Sequence, residues 1–105
     1  LKYFNDPHVD RKYRKYILLI YFCDKDEQGI EGGELVFHTI KNNDYKITRD
    51  NRFYDKNDLQ EIATIPPLNN SAVIFKNNLK AIHSVNEITS IVGKRKFCYV
   101  SIDVQ

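Results

Sequence analysis

The sequence contains no methionine, only two cysteines and three prolines, few helix signals, and no apolar run longer than residues 16–23. That run is far short of the roughly 20 residues a helix needs to cross a bilayer, which excludes a membrane span of that kind. Lacking a methionine, the chain reads as a processed or trimmed segment, with any targeting sequence outside it. No sign of charge dominates: sixteen Lys and Arg stand against fourteen Asp and Glu, a net charge of +2. Such a balance does not single out nucleic acid or an acidic surface as partner, and no nucleic acid is expected. With 42% apolar and 29% charged residues, the composition is that of a globular protein rather than a disordered or fibrous one. A chain of 105 residues holds one ordinary domain, here residues 1–105. Cys23 and Cys98 both lie in apolar, β-like runs and are expected to be buried structural thiols, which favours a reducing, cytoplasmic setting.

Apolar, β-branched and aromatic runs recur between turn-like clusters, the pattern of an all-β domain. Residues 16–23 are continuously apolar, as in a central strand buried on both faces. The acids of residues 24–33 and Gly29, Gly32 and Gly33 predict a turn, and residues 34–39 the next strand. Residues 40–58 are polar and read as a surface excursion, with a short helix over 55–62 capped by Asp55 or Asn57. Pro66-Pro67 and Asn69-Asn70 bracket a turn before a strand at 72–75, and strands follow at 81–85 and 97–103.

His8-Val9-Asp10 sets an imidazole and a carboxylate two residues apart, so on an extended backbone both point to one side and can chelate one metal. By itself the spacing is as much that of a solvated surface pair. A third ligand has to come from far along the chain, and His83 is the candidate. Two histidines and one carboxylate leave coordination positions open for substrates, as in non-haem Fe(II) oxygenases, so iron is the expected metal.

The order of the segments adds to this. His8-Val9-Asp10 is followed by a strand ending in Tyr21-Phe22, then Gly32-Gly33-Glu34-Leu35-Val36-Phe37, Ile65-Pro66-Pro67, Ser71-Ala72-Val73-Ile74-Phe75, His83-Ser84-Val85, and Gly93-Lys94-Arg95 before the last strand. In this ordered set the sequence resembles the Fe(II)- and 2-oxoglutarate-dependent dioxygenases, especially the prolyl 4-hydroxylase-like branch, over nearly its whole length. The resemblance implies a double-stranded β-helix, a jelly-roll or cupin-like barrel, here without its first strand and N-terminal helices. It implies His8, Asp10 and His83 as catalytic metal ligands, Arg95 or Lys94 as the basic partner of 2-oxoglutarate, Tyr21 as a further co-substrate contact, O2 as reactant and ascorbate as an auxiliary. Tyr21 is equally well accounted for as a buried core tyrosine.

A guanidinium suits the distal carboxylate of 2-oxoglutarate because it offers two fixed donors and stays charged when desolvated. If Arg95 points inward, Phe97, Tyr99 and Ser101 follow it, whereas an inward Lys94 brings Lys96 with it, so Arg95 is preferred. The family often has Ser or Thr two residues after the arginine; Phe97 stands there, and Tyr99 or Tyr21 is the expected substitute donor. Related halogenases have Ala or Gly in place of the metal-binding aspartate, so Asp10 favours hydroxylation. The implied substrate is a peptidyl proline, with peptidyl lysine, a free amino acid or small molecule, and a non-catalytic binding module as alternatives. His38 is expected to be a surface or hydrogen-bonded residue. The basic stretch at 11–15 reads as a solvated loop that could also line the substrate entrance.

Overall fold

The computed structural model describes residues 5–23, 30–41, 53–68, 70–78, 80–88, 90–91 and 95–103, with backbone alone at residues 23, 30, 90, 91 and 95–97. Strands β1 (Asn5–His8), β7 (Ile82–Val85), β4 (Leu35–Ile40) and β5 (Leu59–Ile65) form one antiparallel sheet in the order β1-β7-β4-β5. In the second sheet β2 (Arg14–Cys23) lies between β6 (Ser71–Lys76) and β9 (Arg95–Asp103), and β3 (Ile30–Glu31) pairs with β8 (Ser90–Ile91) as a short ribbon.

The two larger sheets meet through side chains that alternate along each strand. Ile17, Leu19 and Tyr21 of β2 and Leu35 of β4 form the buried centre, with Phe37, Val73, Phe75 and Val85 packed against it. Burying both inner faces supplies the main favourable term of such a two-layer fold. The architecture is the all-β double-stranded β-helix that the sequence implies.

Several local expectations change. Although β2 is central in its sheet, it is not buried on both faces: Ile17, Leu19 and Tyr21 are buried while Tyr16 and Phe22 are exposed. Ile74, Val100 and Ile102 of the flanking strands are exposed as well, so an apolar outer face, rather than two-sided burial, explains the unbroken run. Cys98 lies exposed on β9, contrary to the expected buried thiol; the Cys23 side chain is outside the described residues. The expected helix at 55–62 is only a 3-10 turn, Lys56–Asp58, whose start is capped by the Asp55 carboxylate accepting from the Asn57 N–H. Residues 59–65 instead form edge strand β5, because the ladder to β4 satisfies backbone groups over the whole segment. Tyr54 belongs to the core, packed with Val9, Leu59 and Ile82, and not to a surface excursion; residues 42–52 are outside the described residues.

The glycine motif is a fold device. Gly32 and Gly33 have positive φ, 85° and 77°, a region that side chains disfavour. A Cβ on Gly32 would stand 1.9 Å from the Glu87 carbonyl oxygen. This close approach lets Gly33 N–H donate to the Asn86 carbonyl, Asn86 N–H to the Glu34 carbonyl, and the Asn86 amide to the Glu34 carboxylate. The start of β4 is thereby fastened to the end of β7, the strand that carries His83.

Candidate metal centre

β1 and β7 pair with His8 directly opposite His83, so the two side chains leave the sheet on the same face. Their rings lie 4.5 Å apart, centroid to centroid. Asp10, two residues beyond the end of β1, returns its carboxylate to the same point: Oδ1 is 3.3 Å from His8 Nε2 and 3.4 Å from His83 Nε2. One ligand atom from each residue falls within a sphere where all three lie within 4.8 Å of one another.

The remaining ring nitrogens decide what this cluster can do. His8 Nδ1 is 2.6 Å from the Asp6 carbonyl oxygen and His83 Nδ1 is 2.9 Å from that of Ala81. A carbonyl only accepts, so each Nδ1 carries the proton and each neutral ring presents a lone pair at Nε2. Two lone pairs and an anionic oxygen then converge with no donor between them, an arrangement a cation satisfies. Backbone anchoring of the non-coordinating nitrogen is the support found behind histidine metal ligands. Ligands about 2.1 Å from a common metal lie about 3 Å apart, close to the spacings observed. The donor set therefore fits a divalent metal of the non-haem iron type.

Without a metal, a proton at an imidazole Nε2 takes the cation's place: burial alone would raise the Asp10 pKa, but hydrogen bonds with His8 and His83, the charge of His83 and the Tyr99 hydroxyl together hold it well below the usual carboxylate range. Asp10 thus stays anionic. Tyr99 Oη–H donates to Asp10 Oδ2 at 3.0 Å, and the same hydroxyl oxygen accepts from Arg14 Nη1. Burial raises the Tyr99 pKa, helped by the Asp10 charge and opposed by Arg14, which keeps the phenol protonated. The loop bearing Asp10 is held by one side chain: Asn77 Nδ2 donates to the carbonyls of Asp10, Arg11 and Arg14 at 3.3, 3.0 and 2.8 Å. Aromatic rings flank the imidazoles, Phe53 at 5.6 Å from His8 and Phe75 at 5.0 Å from His83.

His8, Asp10 and His83 open onto a cavity of about 200 Å³ whose wall also includes Tyr21, Arg14 and Tyr99. Tyr21, expected near the co-substrate, is therefore in the same cavity. Tyr99 is not the free substitute donor expected from the sequence, because its proton is committed to Asp10. Position 95 opposes Cys23 on β2 while positions 97 and 99 oppose Tyr21 and Leu19, so in register position 95 falls in the same alternation as position 99. The Arg95 side chain and all of Lys94 lie outside the described residues. His38 is buried and hydrogen-bonded to Ser84 Oγ at 2.7 Å, away from the cluster.

Sequence reasoning missed Asn77 and Phe53, and met Arg14 only as part of the basic stretch at 11–15 that could line the entrance, where it does line the cavity. Arg14 opens a strand instead of belonging to a solvated loop, and its even spacing from Tyr16 gave no hint that it turns to the cavity. Asn77 acts on backbone carbonyls more than 60 residues earlier, which no local pattern records.

A two-layer β-helix with paired histidines and a carboxylate at one cavity is the build of a non-haem metal oxygenase. The family model described as the 2OG-Fe(II) oxygenase superfamily matches residues 2–100, and the chain belongs to that superfamily. It is a 2-oxoglutarate-dependent iron dioxygenase, using Fe(II), 2-oxoglutarate and O2 on a further substrate. No curated protein and no solved structure matches the chain. Among the described residues, no helix is long and apolar enough to cross a membrane.

Proposed function

We propose that His8, Asp10 and His83 hold the Fe(II), that Arg95 with Tyr21 receives 2-oxoglutarate, and that the enzyme hydroxylates a prolyl residue of a peptide or protein. The observation that carries the ligand assignment is the convergence of two backbone-anchored imidazoles on one oxygen of Asp10. Iron and 2-oxoglutarate supply the oxidising chemistry, coupling decarboxylation of the co-substrate to succinate and CO2 with oxygenation of a carbon–hydrogen bond. The chain's own residues orient and shield. Asp6 and Ala81 carbonyls fix the imidazole planes, Asp10 offsets one positive charge of the metal, and Phe37, Phe53 and Phe75 keep an apolar surround. Arg95 is preferred over Lys94 because its position falls in the same alternation as that of Tyr99, which lines the cavity. The prolyl 4-hydroxylase-like branch, and ascorbate as reductant, rest on the resemblance of the ordered motifs.

A second reading, a free amino acid or small carboxylic acid as substrate, is favoured by Arg14. Its guanidinium lines the cavity, and its Nε is buried without a partner among the described residues. The cavity is below the ~300–1,000 Å³ typical of drug-sized ligands, as suits small molecules or the reacting end of a larger one.

Anaerobic addition of Fe(II) and then 2-oxoglutarate tests the site. A weak visible charge-transfer band is expected in the wild type and absent in His83→Ala. A wild type without the band, or a His83→Ala protein that keeps it, overturns the ligand assignment. Succinate release stimulated by prolyl peptides, against stimulation by free amino acids, separates the two substrate readings.

A further inference from the structure

We propose that Tyr99 and Arg14 are positioning residues that hold Asp10 as a one-oxygen ligand, presenting Oδ1 to the metal and withholding Oδ2. The inference rests on the assignment of His8, Asp10 and His83 as ligands. The two carboxylate oxygens have different surroundings: Oδ1 faces both imidazoles at 3.3 and 3.4 Å, whereas Oδ2 accepts from the Tyr99 hydroxyl at 3.0 Å.

The direction of that hydrogen bond is forced by Arg14. A phenol has one proton and can turn it toward either of two neighbours, but a guanidinium has donors only. Arg14 Nη1 contacts the Tyr99 oxygen, so the oxygen must accept there and the phenolic proton is left for Asp10. Arg14 is itself held. Its guanidinium carbon lies 5.1 Å from the Tyr99 ring centroid and 5.6 Å from that of Tyr13, within the range of cation–π attraction. Its backbone N–H donates to the Arg11 carbonyl, and its own carbonyl accepts from Asn77.

The three residues come from both layers of the fold. Arg14 and Tyr99 belong to β2 and β9 of the three-stranded sheet, whereas Asp10 follows β1 of the other. Carboxylates bind cations through one oxygen or two. With Oδ2 engaged by Tyr99, Asp10 takes a single position, and the positions that 2-oxoglutarate and O2 require stay open.

The test is Mn(II) binding to the full chain, as a redox-stable probe, by calorimetry at fixed pH and without co-substrate. Loss of a hydrogen bond behind a metal ligand commonly weakens binding about 10–100-fold, and Tyr99→Phe is expected in that range. Arg14→Gln is expected to match it, because a glutamine can accept the phenolic proton and turn it away from Asp10. This sign is diagnostic: simple charge repulsion predicts tighter cation binding when a nearby positive charge is removed. Arg14→Lys, again a donor only, is expected to bind within about threefold of wild type. The Tyr99→Phe/Arg14→Gln double variant should be no weaker than either single one, since the two act in series.

Tyr99→Phe binding as tightly as wild type, Arg14→Gln binding more tightly, or Arg14→Lys failing alongside Arg14→Gln would each overturn the relay. Urea midpoints of the metal-free variants separate loss of orientation from loss of fold; Tyr99 is 40% exposed, so Tyr99→Phe is expected to fold. Asp10→Ala tells the two levels apart. If it binds Mn(II) like wild type, the ligand assignment itself fails; if it loses binding while Tyr99→Phe does not, only the relay fails.

Discussion

The two faces of the four-stranded sheet treat histidine in opposite ways, and the contrast runs through adjacent residues of one strand. On β7, His83 turns to the cavity beside His8 and Phe37, whereas Ile82 and Ser84 turn to the other face with His38. His38 meets a hydroxyl, a partner that can both donate and accept, and is satisfied. His8 and His83 meet an anionic oxygen with their lone pairs, and are satisfied only when a cation joins them. Burial is alike on both faces, so burial does not distinguish a binding histidine from a structural one. The partner does. The sharpest test exchanges the two properties along the strand. His83→Gln is expected to weaken Fe(II) or Mn(II) binding by more than about 100-fold, beyond the loss from a supporting residue. The urea midpoint of the metal-free protein should also fall, because His83 helps to hold the Asp10 carboxyl ionised, whereas the Ser84 face stays intact. Equal metal affinity in His83→Gln and wild type would erase the contrast.

Asn77→Ala strikes the cavity face from behind. It removes the one amide that holds three carbonyls of the loop carrying Asp10. Leaving the partly buried carbonyls of Asp10 and Arg14 unpaired is expected to cost about 1–3 kcal/mol of stability, and to weaken metal binding by about tenfold through a misplaced Asp10. Denaturant unfolding and metal titration measure the two effects; a stability loss with unchanged metal affinity would show that the loop does not depend on this clamp. Ser84→Ala is the smaller and opposite change. It strands the buried His38 ring and should cost about 1–2 kcal/mol, with metal affinity as in wild type. A large loss of affinity in Ser84→Ala would mean the two faces are coupled.

Much of the His8–Asp10–His83 cluster was legible because its members obey simple periodicities. His8 and Asp10 are two residues apart on extended chain, and His83 sits in a short apolar strand. The cavity position of Tyr21 follows from alternation along β2, although burial on that strand proved one-sided. Residues 59–62, the later part of the expected helix over 55–62, belong to an edge strand whose exposed middle shows neither a buried stripe nor clean alternation in the sequence. The Arg14–Tyr99 contact and the role of Asn77 escaped for another reason. The two residues' roles are set by contacts to residues far along the chain, Arg14 to the Tyr99 hydroxyl and Asn77 to backbone carbonyls, and such contacts leave no mark in local sequence.

Acid should divide the two faces as well. Burial is the main cause that lowers the His38 pKa below its ordinary 6.5, with Glu61 opposing and Lys56 and His83 adding to the shift. Below pH 6.5 the unfolded chain therefore takes up a proton that the folded chain refuses, and stability falls as pH drops through that value. Asp10 acts lower on the scale. Its carboxyl ordinarily titrates at 3.8 and is held well below that in the fold, so its contribution is complete above 3.8 and is lost as pH falls further. Urea midpoints of the metal-free protein from pH 8 to 3 should show both declines. His38→Phe is expected to flatten the upper one and keep the lower, and Asp10→Asn the reverse. An upper decline that survives in His38→Phe would assign it to the cavity face, and the satisfied histidine would no longer be the acid-sensitive one.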